Sequence, residues 1–372
     1  MSSRRGMKRM PAWAARCVGD LLALTQRVGA LTRPDMVASQ IAGARVAVVG
    51  AGMAGLVCAS SLQAAGSRVT VFDKGRGPAG RMSTRRGAVP FDHGAQYFTA
   101  RDPAFQADVD RWIVAGLVSP WRAHVVRIES PGAAAHDSTP QVRYVGVPGM
   151  NAVARALAVG LDVRSTVAIT SATRDVATWR LGTRDGVLPQ AFDALVLTAP
   201  PSQSAAVLGD HPLAATARRA TMAPCWAVMA VWSEGLSLPY DAAFVHGSPL
   251  SWLARDGSKP GRPYPHAWVL HGSPAWSEAH LESASDDVTR ALLAAFAALA
   301  PQPLPAPSDA AAHRWRYALP IATLDLPCVW DAEECVGLAG DWCGGPRVEG
   351  AWASGRALAQ QMLNPNDADQ HA

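Results

Sequence analysis

An α/β fold with more than one domain is predicted by three features of the sequence. The chain has 372 residues, which is more than one hydrophobic core usually serves. Hydrophobic residues make up 49% and charged residues 17% of it, as in globular rather than disordered proteins. A β-branched strand, a glycine-rich turn, a helix and a second strand follow one another between residues 45 and 73, which is typical of a parallel βαβ unit.

The overall charge and the apolar runs argue against several classes of protein. The net charge of +4 is small for this length, so we expect neither nucleic acid nor a membrane as a partner, although an anionic small ligand would suit it. The best apolar run, residues 291–300, is too short to span a bilayer and predicts a core helix. The sequence shows no clear export signal, and we expect a cytoplasmic protein.

The six cysteines form no C-x-x-C pair, which argues against a zinc knuckle or a thioredoxin-type redox site. A disulfide framework is not expected in a chain of this length without an export signal. We therefore expect no metal site.

Residues 1–40 look like an extension to the fold. The first 44 residues are rich in arginine and contain only Asp20 and Asp35 as acids, which resembles an organelle transit peptide. A disordered or loosely docked extension is the simpler explanation, and translation that begins at Met36 is another. The first strand is expected only a few residues after this segment.

The glycine-rich turn has the pattern of a dinucleotide-binding site. Strand 45–50 runs into G-A-G-M-A-G. Gly50 permits a tight turn, Gly52 lets the backbone approach a pyrophosphate, and Gly55 lets helix and strand pack closely. A helix over 54–65 would point its N-terminal N–H groups at that pyrophosphate. The predicted ligands in this turn are Gly50, Gly52, Met53, Ala54 and Gly55.

An acid and a second loop indicate which dinucleotide binds. Asp73 follows a strand over 68–72 and can accept hydrogen bonds from both hydroxyls of an adenosine ribose, but it would repel the 2′-phosphate of NADP. The loop K-G-R-G-P-A-G-R-M then ends near Arg81, which can clamp the pyrophosphate from its other side. Simple NAD dehydrogenases usually lack this loop, so the combination favours FAD. The predicted ligands here are Asp73, Lys74, Gly80, Arg81 and Met82.

Several motifs in sequence order resemble one family. They are D-K-G-R-G-P-A-G-R-M-S-T-R-R from Asp73, F-D-H-G-A-Q-Y-F-T (91–99), A-P-C-W-A-V-M (223–229), P-L-S-W-L-A-R-D (249–256), W-V-L-H-G-S-P-A-W-S (268–277) and G-L-A-G-D-W-C-G-G-P-R-V-E-G-A-W-A-S-G (337–355). Together they resemble the renalase-like branch of the flavin amine oxidase superfamily over roughly residues 45–362.

The resemblance implies two interleaved domains. A Rossmann-like FAD-binding domain would take residues 41–100, 145–201 and 333–363, and a substrate domain of mixed β-sheet and helices would take residues 101–144 and 202–332. The local patterns agree, because residues 162–180 alternate like paired strands and residues 192–198 read as a buried strand. A strand at 166–168, which contains Val167, would lie against the adenine.

The C-terminal motif predicts the other end of the cofactor site. A strand over 334–339 leads to Gly340 and Asp341, whose carboxylate would meet the ribityl or phosphate end of the flavin. A helix that starts near Val348 would aim its N-terminus at flavin N1 and the C2 carbonyl. Arg347 and Glu349 complete the predicted ligands, and a surface ion pair between these two is the alternative.

Noncovalent FAD is implied by the resemblance. Covalent attachment through cysteine occurs in some relatives of the superfamily, which leaves Cys343 as an alternative, although a small buried thiol is the simpler role.

Flavin chemistry needs few reactive side chains, so we look for residues that line a pocket. The resemblance places Asp92, His93, Gln96 and Tyr97 beside the flavin, with Gln96 as a cofactor ligand and Tyr97 among the catalytic candidates. His93 is either a proton carrier or a structural histidine.

The other catalytic candidates lie in the tryptophan-rich half of the chain. Trp252 and Trp268 could wall the substrate face of the flavin, although some of these indoles must be core. His271 and Arg316 could meet a carboxamide or a phosphate of the substrate.

Three functions remain open. By resemblance, an oxidase would take hydride from a dihydro isomer of NAD(P), with the hydride at ring position 2 or 6, pass it to flavin N5 and give hydrogen peroxide from dioxygen. Oxidation of an amine or another small molecule is the second hypothesis. A flavin-binding redox sensor without turnover is the third.

Overall fold

The computed structural model describes residues 41–130, 135–138 and 140–364, so the expectations for residues 1–40 lie outside it. The α-helices of the described residues are α1 (Met53–Ala64), α2 (Pro103–Val114), α3 (Ala152–Leu157), α4 (Pro201–Leu208), α5 (Pro212–Arg218), α6 (Pro274–Ala279), α7 (Ser285–Ala297), α8 (Asp341–Gly344) and α9 (Val348–Leu363).

The β-strands of the described residues are β1 (Arg45–Val49), β2 (Arg68–Asp73), β3 (Thr84–Arg85), β4 (Phe91–Asp92), β5 (Val118–Pro120), β6 (Val125–Ile128), β7 (His136–Asp137), β8 (Tyr144–Gly146), β9 (Asp162–Ser165), β10 (Ser171–Asp175), β11 (Thr178–Thr183), β12 (Gly186–Phe192), β13 (Ala194–Leu197), β14 (Thr221–Val231), β15 (Ala242–Val245), β16 (Leu250–Arg255), β17 (Ala267–Gly272), β18 (Asp309–Ala322), β19 (Val329–Asp331) and β20 (Val336–Leu338).

A six-stranded sheet forms the first layer, in the order β19-β20-β13-β1-β2-β9. β1 lies between β13 and β2 and pairs with both in parallel, while β19 adds an antiparallel edge. Val46 and Val48 have no exposed surface, as expected for a parallel strand that is covered on both faces. This sheet and its crossover helix α1 confirm the α/β class that the β-branched run and the glycine turn predict.

The segment after β9 corrects one expectation. Residues 166–168 do not form a strand, because Thr166 is a turn residue with a φ of +62°, which ends the extended backbone at Ser165. The alternating pattern of 162–180 is divided between two sheets. β9 joins β2 in the six-stranded sheet, and β10 pairs with β11 in a separate antiparallel sheet of three strands.

A seven-stranded sheet forms the second layer, in the order β18-β14-β17-β16-β15-β6-β7. Its strands come from two stretches of the chain that alternate with those of the first sheet. Where one domain ends and the other begins stays a prediction.

Helix α7 covers one face of the seven-stranded sheet. Leu292 and Phe296 of this helix are buried there, as expected of a core helix in the apolar run. No helix in the described part of the chain is long and apolar enough to cross a membrane.

Strand alternation corrects the prediction for Trp268. Its indole packs on Phe296 of α7, with ring centroids 5.4 Å apart, and is 1% exposed. His271 is three residues along the same strand and therefore faces the other way, where its register partner is Trp252. Trp268 is a core residue and does not wall a substrate site.

Helices α1 and α9 touch backbone to backbone. A Cβ atom built on Gly355 of α9 would lie 2.2 Å from the carbonyl oxygen of Ala54 in α1, so only glycine fits at this crossing. The contact brings the C-terminal motif against the start of the first helix.

Replacing Gly355 with alanine should therefore destabilise the protein. The added methyl group must push the two helices apart, and overpacking of this kind lowers the free energy of unfolding by about 1–3 kcal/mol. Ala353→Ser, at an exposed position of the same helix, is the matched control and should change it by less than about 0.5 kcal/mol. Denaturant melts of the three proteins measure the difference, and equal stability of Gly355→Ala and wild type would contradict the close contact.

Candidate functional site

The three glycines of the turn after β1 have different roles. Gly50 has a φ of +113°, and a Cβ atom on it would lie 2.6 Å from Thr198 Oγ1. A Cβ atom on Gly55 would lie 2.0 Å from the carbonyl oxygen of Gly50. Gly52 differs, because a Cβ atom there would meet none of the described residues within 4 Å. Two glycines are thus required by protein packing, while the third faces open space at the N-terminus of α1, where a pyrophosphate fits.

Asp73 lies beside this turn at the end of β2. Its Oδ2 accepts a hydrogen bond from the Ala51 N–H at 2.7 Å, and its Oδ1 accepts one from the Gly75 N–H at 2.6 Å. Val167 lies close by and donates its N–H to the Asp73 carbonyl oxygen at 3.0 Å. The carboxylate therefore lies beside the glycine turn, and Val167 is next to it although no strand forms there, while the predicted contact with an adenosine ribose stays a prediction.

The side chain of Lys74 does not join this group. Its Nζ donates to Gln203 Oε1 at 3.0 Å on the exposed surface. The prediction of Lys74 as a side-chain ligand is therefore not supported by its position.

The second loop and the C-terminal motif are joined by an ion pair. Gly80, Arg81 and Met82 form one 3-10 turn. The Arg81 guanidinium donates two hydrogen bonds to the Asp341 carboxylate, at 2.6 and 2.7 Å, and a third to the Ala318 carbonyl oxygen at 3.1 Å. Both charged groups were predicted to contact the cofactor. The structure pairs them, so they close the site between two distant segments.

The start of α9 places the last predicted ligands. Arg347 precedes the helix with a φ of +151°, and Val348 is its first residue. The Glu349 carboxylate accepts the N–H groups of Arg101 and Asp102 at 2.7 and 2.6 Å. Glu349 thus anchors the segment that begins α2, and neither the predicted cofactor contact nor the alternative ion pair with Arg347 describes its side chain.

Cys343 is buried in the hydrophobic core beneath this motif. Burial raises the pKa of its thiol to about 12, which keeps the thiol protonated. FAD is the cofactor that these residues fit, and it is held noncovalently.

Residues 91–97 pass between the cofactor loops and the seven-stranded sheet. His93 is 5% exposed, and its carbonyl oxygen accepts hydrogen bonds from Trp315 Nε1 and His271 Nε2, at 3.0 and 3.2 Å. Its ring lies 4.6 Å from the His313 ring, and its Nδ1 has no hydrogen-bond partner among the described residues.

Burial sets the charge of these histidines. Burial, with His313 nearby, lowers the pKa of His93 to about 4, and burial lowers the pKa of His271 to about 4. Both rings are therefore neutral near pH 7, so neither can act there as a cationic acid.

Tyr97 and Trp252 form an aromatic surface on the same face of the sheet. Their ring centroids are 5.4 Å apart, and Trp252 also packs against Phe244 at 4.7 Å. The buried Trp252 Nε1 has no hydrogen-bond partner among the described residues. Arg316, in contrast, pairs with Glu282 at 2.6 Å on the exposed surface, so it does not meet a substrate in this site.

A network of buried charges beneath Gln96 escaped the sequence analysis. Lys259 has no exposed side-chain surface, and its Nζ donates to Asp256 Oδ1 at 2.7 Å and to Gln96 Oε1 at 3.1 Å. Arg262 binds the Asp92 carboxylate in the same network. Gln96 is thus a structural partner of Lys259, not a free cofactor ligand. The loop D-G-S-K-P-G-R (256–262), with charges among glycine and proline, was the available signal.

The two acids of the network differ in their proton affinity. Burial alone would raise the pKa of Asp92, but Lys259 and Arg262 outweigh burial and hold it below its ordinary value. Burial raises the pKa of Asp256, although Lys259 opposes the shift. The network therefore balances two acids with two bases inside the protein.

His93 should make the protein sensitive to acid. A histidine with a pKa of about 4 in the folded state and an ordinary one near 6.5 binds a proton first in the unfolded state. The free energy of unfolding should consequently fall by up to about 3 kcal/mol as the pH drops from 6.5 to 4. His93→Phe should lose less stability over this range than wild type, whereas His246→Phe, at an exposed position, should follow wild type. Chemical denaturation at several pH values decides, and parallel curves for all three proteins would refute the assignment.

Comparisons with known proteins agree with this geometry. Residues 48–112 match the NAD(P)-binding Rossmann-like domain family, and residues 133–363 match the flavin containing amine oxidoreductase family. Among solved structures, a suspected protoporphyrinogen oxidase from Exiguobacterium sp. 255-15 has a TM-score of 0.71 at 13% identity and covers 88% of this chain and 100% of its own.

Two further structures share the architecture. Putrescine oxidase with bound putrescine has a TM-score of 0.63 at 14% identity, over 86% of this chain and 99% of its own. A fatty acid isomerase from P. acnes has a TM-score of 0.64 at 12% identity, over 88% and 99%. At such identities the likeness shows the fold alone. Because the amine oxidoreductase match spans more than half of the chain and the glycine turn, Asp73 and the C-terminal motif meet in one site, the chain belongs to the flavin-containing amine oxidoreductase family and is an FAD-dependent oxidoreductase.

Proposed function

We propose that this enzyme is a renalase-like oxidase that takes hydride from a dihydro isomer of NAD(P), one that carries the hydride at ring position 2 or 6. The observation that carries the proposal is that the buried carboxylates are already paired with cations. The buried carboxylates of the described residues belong to Asp92, Asp256 and Asp341, and each has a cationic partner. No buried carboxylate there is free to bind a substrate ammonium group, which counts against an amine and favours a neutral planar ring.

The aromatic surface supports the same choice. The proposal places a dihydronicotinamide against this pair, where the half-buried Tyr97 ring lies 5.4 Å from the Trp252 ring. The neutral rings of His93 and His271 lie at the edge of this surface and do not repel a ring that becomes cationic when it loses hydride.

The residues of the first sheet hold the cofactor in this proposal. Gly52 leaves room for the pyrophosphate, the N-terminus of α1 stabilises its charge, and Asp73 accepts the ribose hydroxyls. The chemistry that bound FAD supplies is hydride acceptance at N5 and reoxidation by dioxygen, which yields hydrogen peroxide. The Arg81–Asp341 pair keeps the second loop and the C-terminal motif closed around this site.

Gly52→Val should purify without flavin. The branched side chain meets no protein atom near its Cβ position, so the variant should fold, but it fills the space that the pyrophosphate needs. The ratio of flavin to protein absorbance measures the loss, with Gly52→Ala as a smaller intrusion and circular dichroism as the check on folding. Full FAD occupancy in Gly52→Val would refute the assignment of this turn.

The donor is tested by anaerobic reduction. The purified enzyme is mixed with dihydronicotinamide isomers, with ordinary NADH and with simple amines, and the flavin absorbance is followed. Misplaced-hydride isomers should reduce the flavin about 100-fold faster than NADH, because hydride transfer demands one ring carbon in one place. Rapid reduction by amines without reduction by the isomers would replace this proposal with amine oxidation.

A further inference from the structure

One buried arginine of the proposed substrate domain has no acidic partner in the part of the chain that the structure describes. Arg143 lies just before β8 and is 6% exposed. Its Nη2 donates to Ser138 Oγ at 3.2 Å, and its guanidinium lies over the Tyr97 ring, 5.3 Å from the centroid. Its Nε has no hydrogen-bond partner among the described residues. Burial of a cation destabilises a protein unless an anion or several acceptors bind it.

Arg262 is a structural arginine with which Arg143 can be compared. Its side chain is 4% exposed. It binds the Asp92 carboxylate and also donates to the carbonyl oxygens of Gly146 and Pro260, both at 2.8 Å. Arg143 has one serine hydroxyl and an aromatic face instead. Its Nε thus carries a donor that no acceptor of the described residues satisfies.

Arg143 lines an open pocket of about 580 Å³, together with Trp121, Arg122 and His124. Asp137 is the only acid among the described lining residues, and its Oδ1 lies 2.7 Å from His124 Nε2. The hydrogen bond that His124 donates to Asp137, with a second one to the Pro239 carbonyl oxygen, raises the pKa of His124 above its ordinary value. The one acid is therefore already engaged, and the pocket is cationic.

Tyr97 connects this pocket to the aromatic surface of the sheet. One side of its ring faces Arg143, and its centroid lies 6.3 Å from Trp121 and 5.4 Å from Trp252. Tyr97 therefore touches Arg143 and Trp121 of the pocket on one side and Trp252 of the sheet on the other.

We propose that Arg143 and its pocket bind an oxyanion of the substrate, a phosphate or a carboxylate, while the ring of the same molecule packs on Tyr97 and Trp252. The assignment rests on the proposed function. A dihydronicotinamide nucleotide carries phosphate and the corresponding nucleoside carries none, so the pocket selects phosphorylated donors. Arg143 is a specificity residue that contacts the substrate away from the reacting ring.

The kinetic test compares FAD-loaded wild type with Arg143→Gln, using the mononucleotide and the nucleoside of one dihydronicotinamide isomer. Loss of a charge-assisted hydrogen bond should raise KM for the mononucleotide about 10- to 100-fold and leave KM for the nucleoside unchanged. The value of kcat should stay within about twofold, since the contact is uniform along the reaction. Arg127→Gln, in β6 and outside the pocket, is the control. The proposal is overturned if Arg143→Gln changes KM equally for the mononucleotide and the nucleoside, or changes neither value.

A second measurement does not depend on turnover. In buffers of equal ionic strength, phosphate or acetate should raise the melting temperature of the FAD-loaded wild type and not that of Arg143→Gln. A shift with phosphate identifies a phosphate site, and a shift with acetate alone identifies a carboxylate site. The proposal fails if neither anion acts or if both proteins respond alike. If dihydronicotinamides do not reduce the flavin but the anion shift is present, the proposed function fails and the anion site stands.

A stability comparison excludes a structural role. Without added anion, Arg143→Met should melt at or above the wild-type temperature, because it removes an unpaired buried cation. Arg262→Met should melt well below it, since it leaves Asp92 with one cation fewer. A large loss of stability in Arg143→Met, or a loss of bound FAD, would make Arg143 part of the scaffold and overturn the proposal.

Discussion

The backbone contact between α1 and α9 is the constraint on which the cofactor site depends. Gly355 and Ala54 approach so closely that no side chain fits between the two helices. This contact holds the start of the first helix against the last one, although the two are at opposite ends of the described chain. The glycine turn and the C-terminal motif then face the same space, and the Arg81–Asp341 pair joins the remaining loop to them.

Charge pairing sets the chemistry of the surface that we propose binds the substrate. Lys259 and Arg262 neutralise Asp92 and Asp256 inside the protein, so these acids position the 91–97 segment and attract no cation from solvent. Burial keeps the nearby histidines neutral as well. The surface that remains is aromatic, and its one free buried charge among the described residues is the guanidinium of Arg143. Stacking and anion binding are the interactions such a surface offers.

Successive side chains of a strand point to opposite faces of the seven-stranded sheet, so one face packs in the core and the other lies toward residues 91–97. Residues such as Trp268 point toward α7 and stabilise the core, while Trp252 and His271 point toward residues 91–97. A shift of one residue in register would exchange these sets, so the long pairing of β14 with β17 and β18 protects the site as well as the fold.

The sequence by itself determined the α/β class, the βαβ unit, the spacing of Gly50, Gly52 and Gly55, and Asp73 at the end of β2. These features are local, since a strand, a turn and a helix follow from neighbouring residues. Only the tertiary structure decided which tryptophan packs in the core and which lies near residues 91–97. Strand periodicity assigns residues to two faces of a sheet, but it does not tell which of those faces a helix covers. It also decided that Arg81 pairs with Asp341 and that Glu349 holds the start of α2. Lys259 and Arg262 also have partners in distant segments of the chain, and Arg143 lies against Tyr97. The chemistry of a buried charge depends on such partners, and a local sequence pattern does not reveal them.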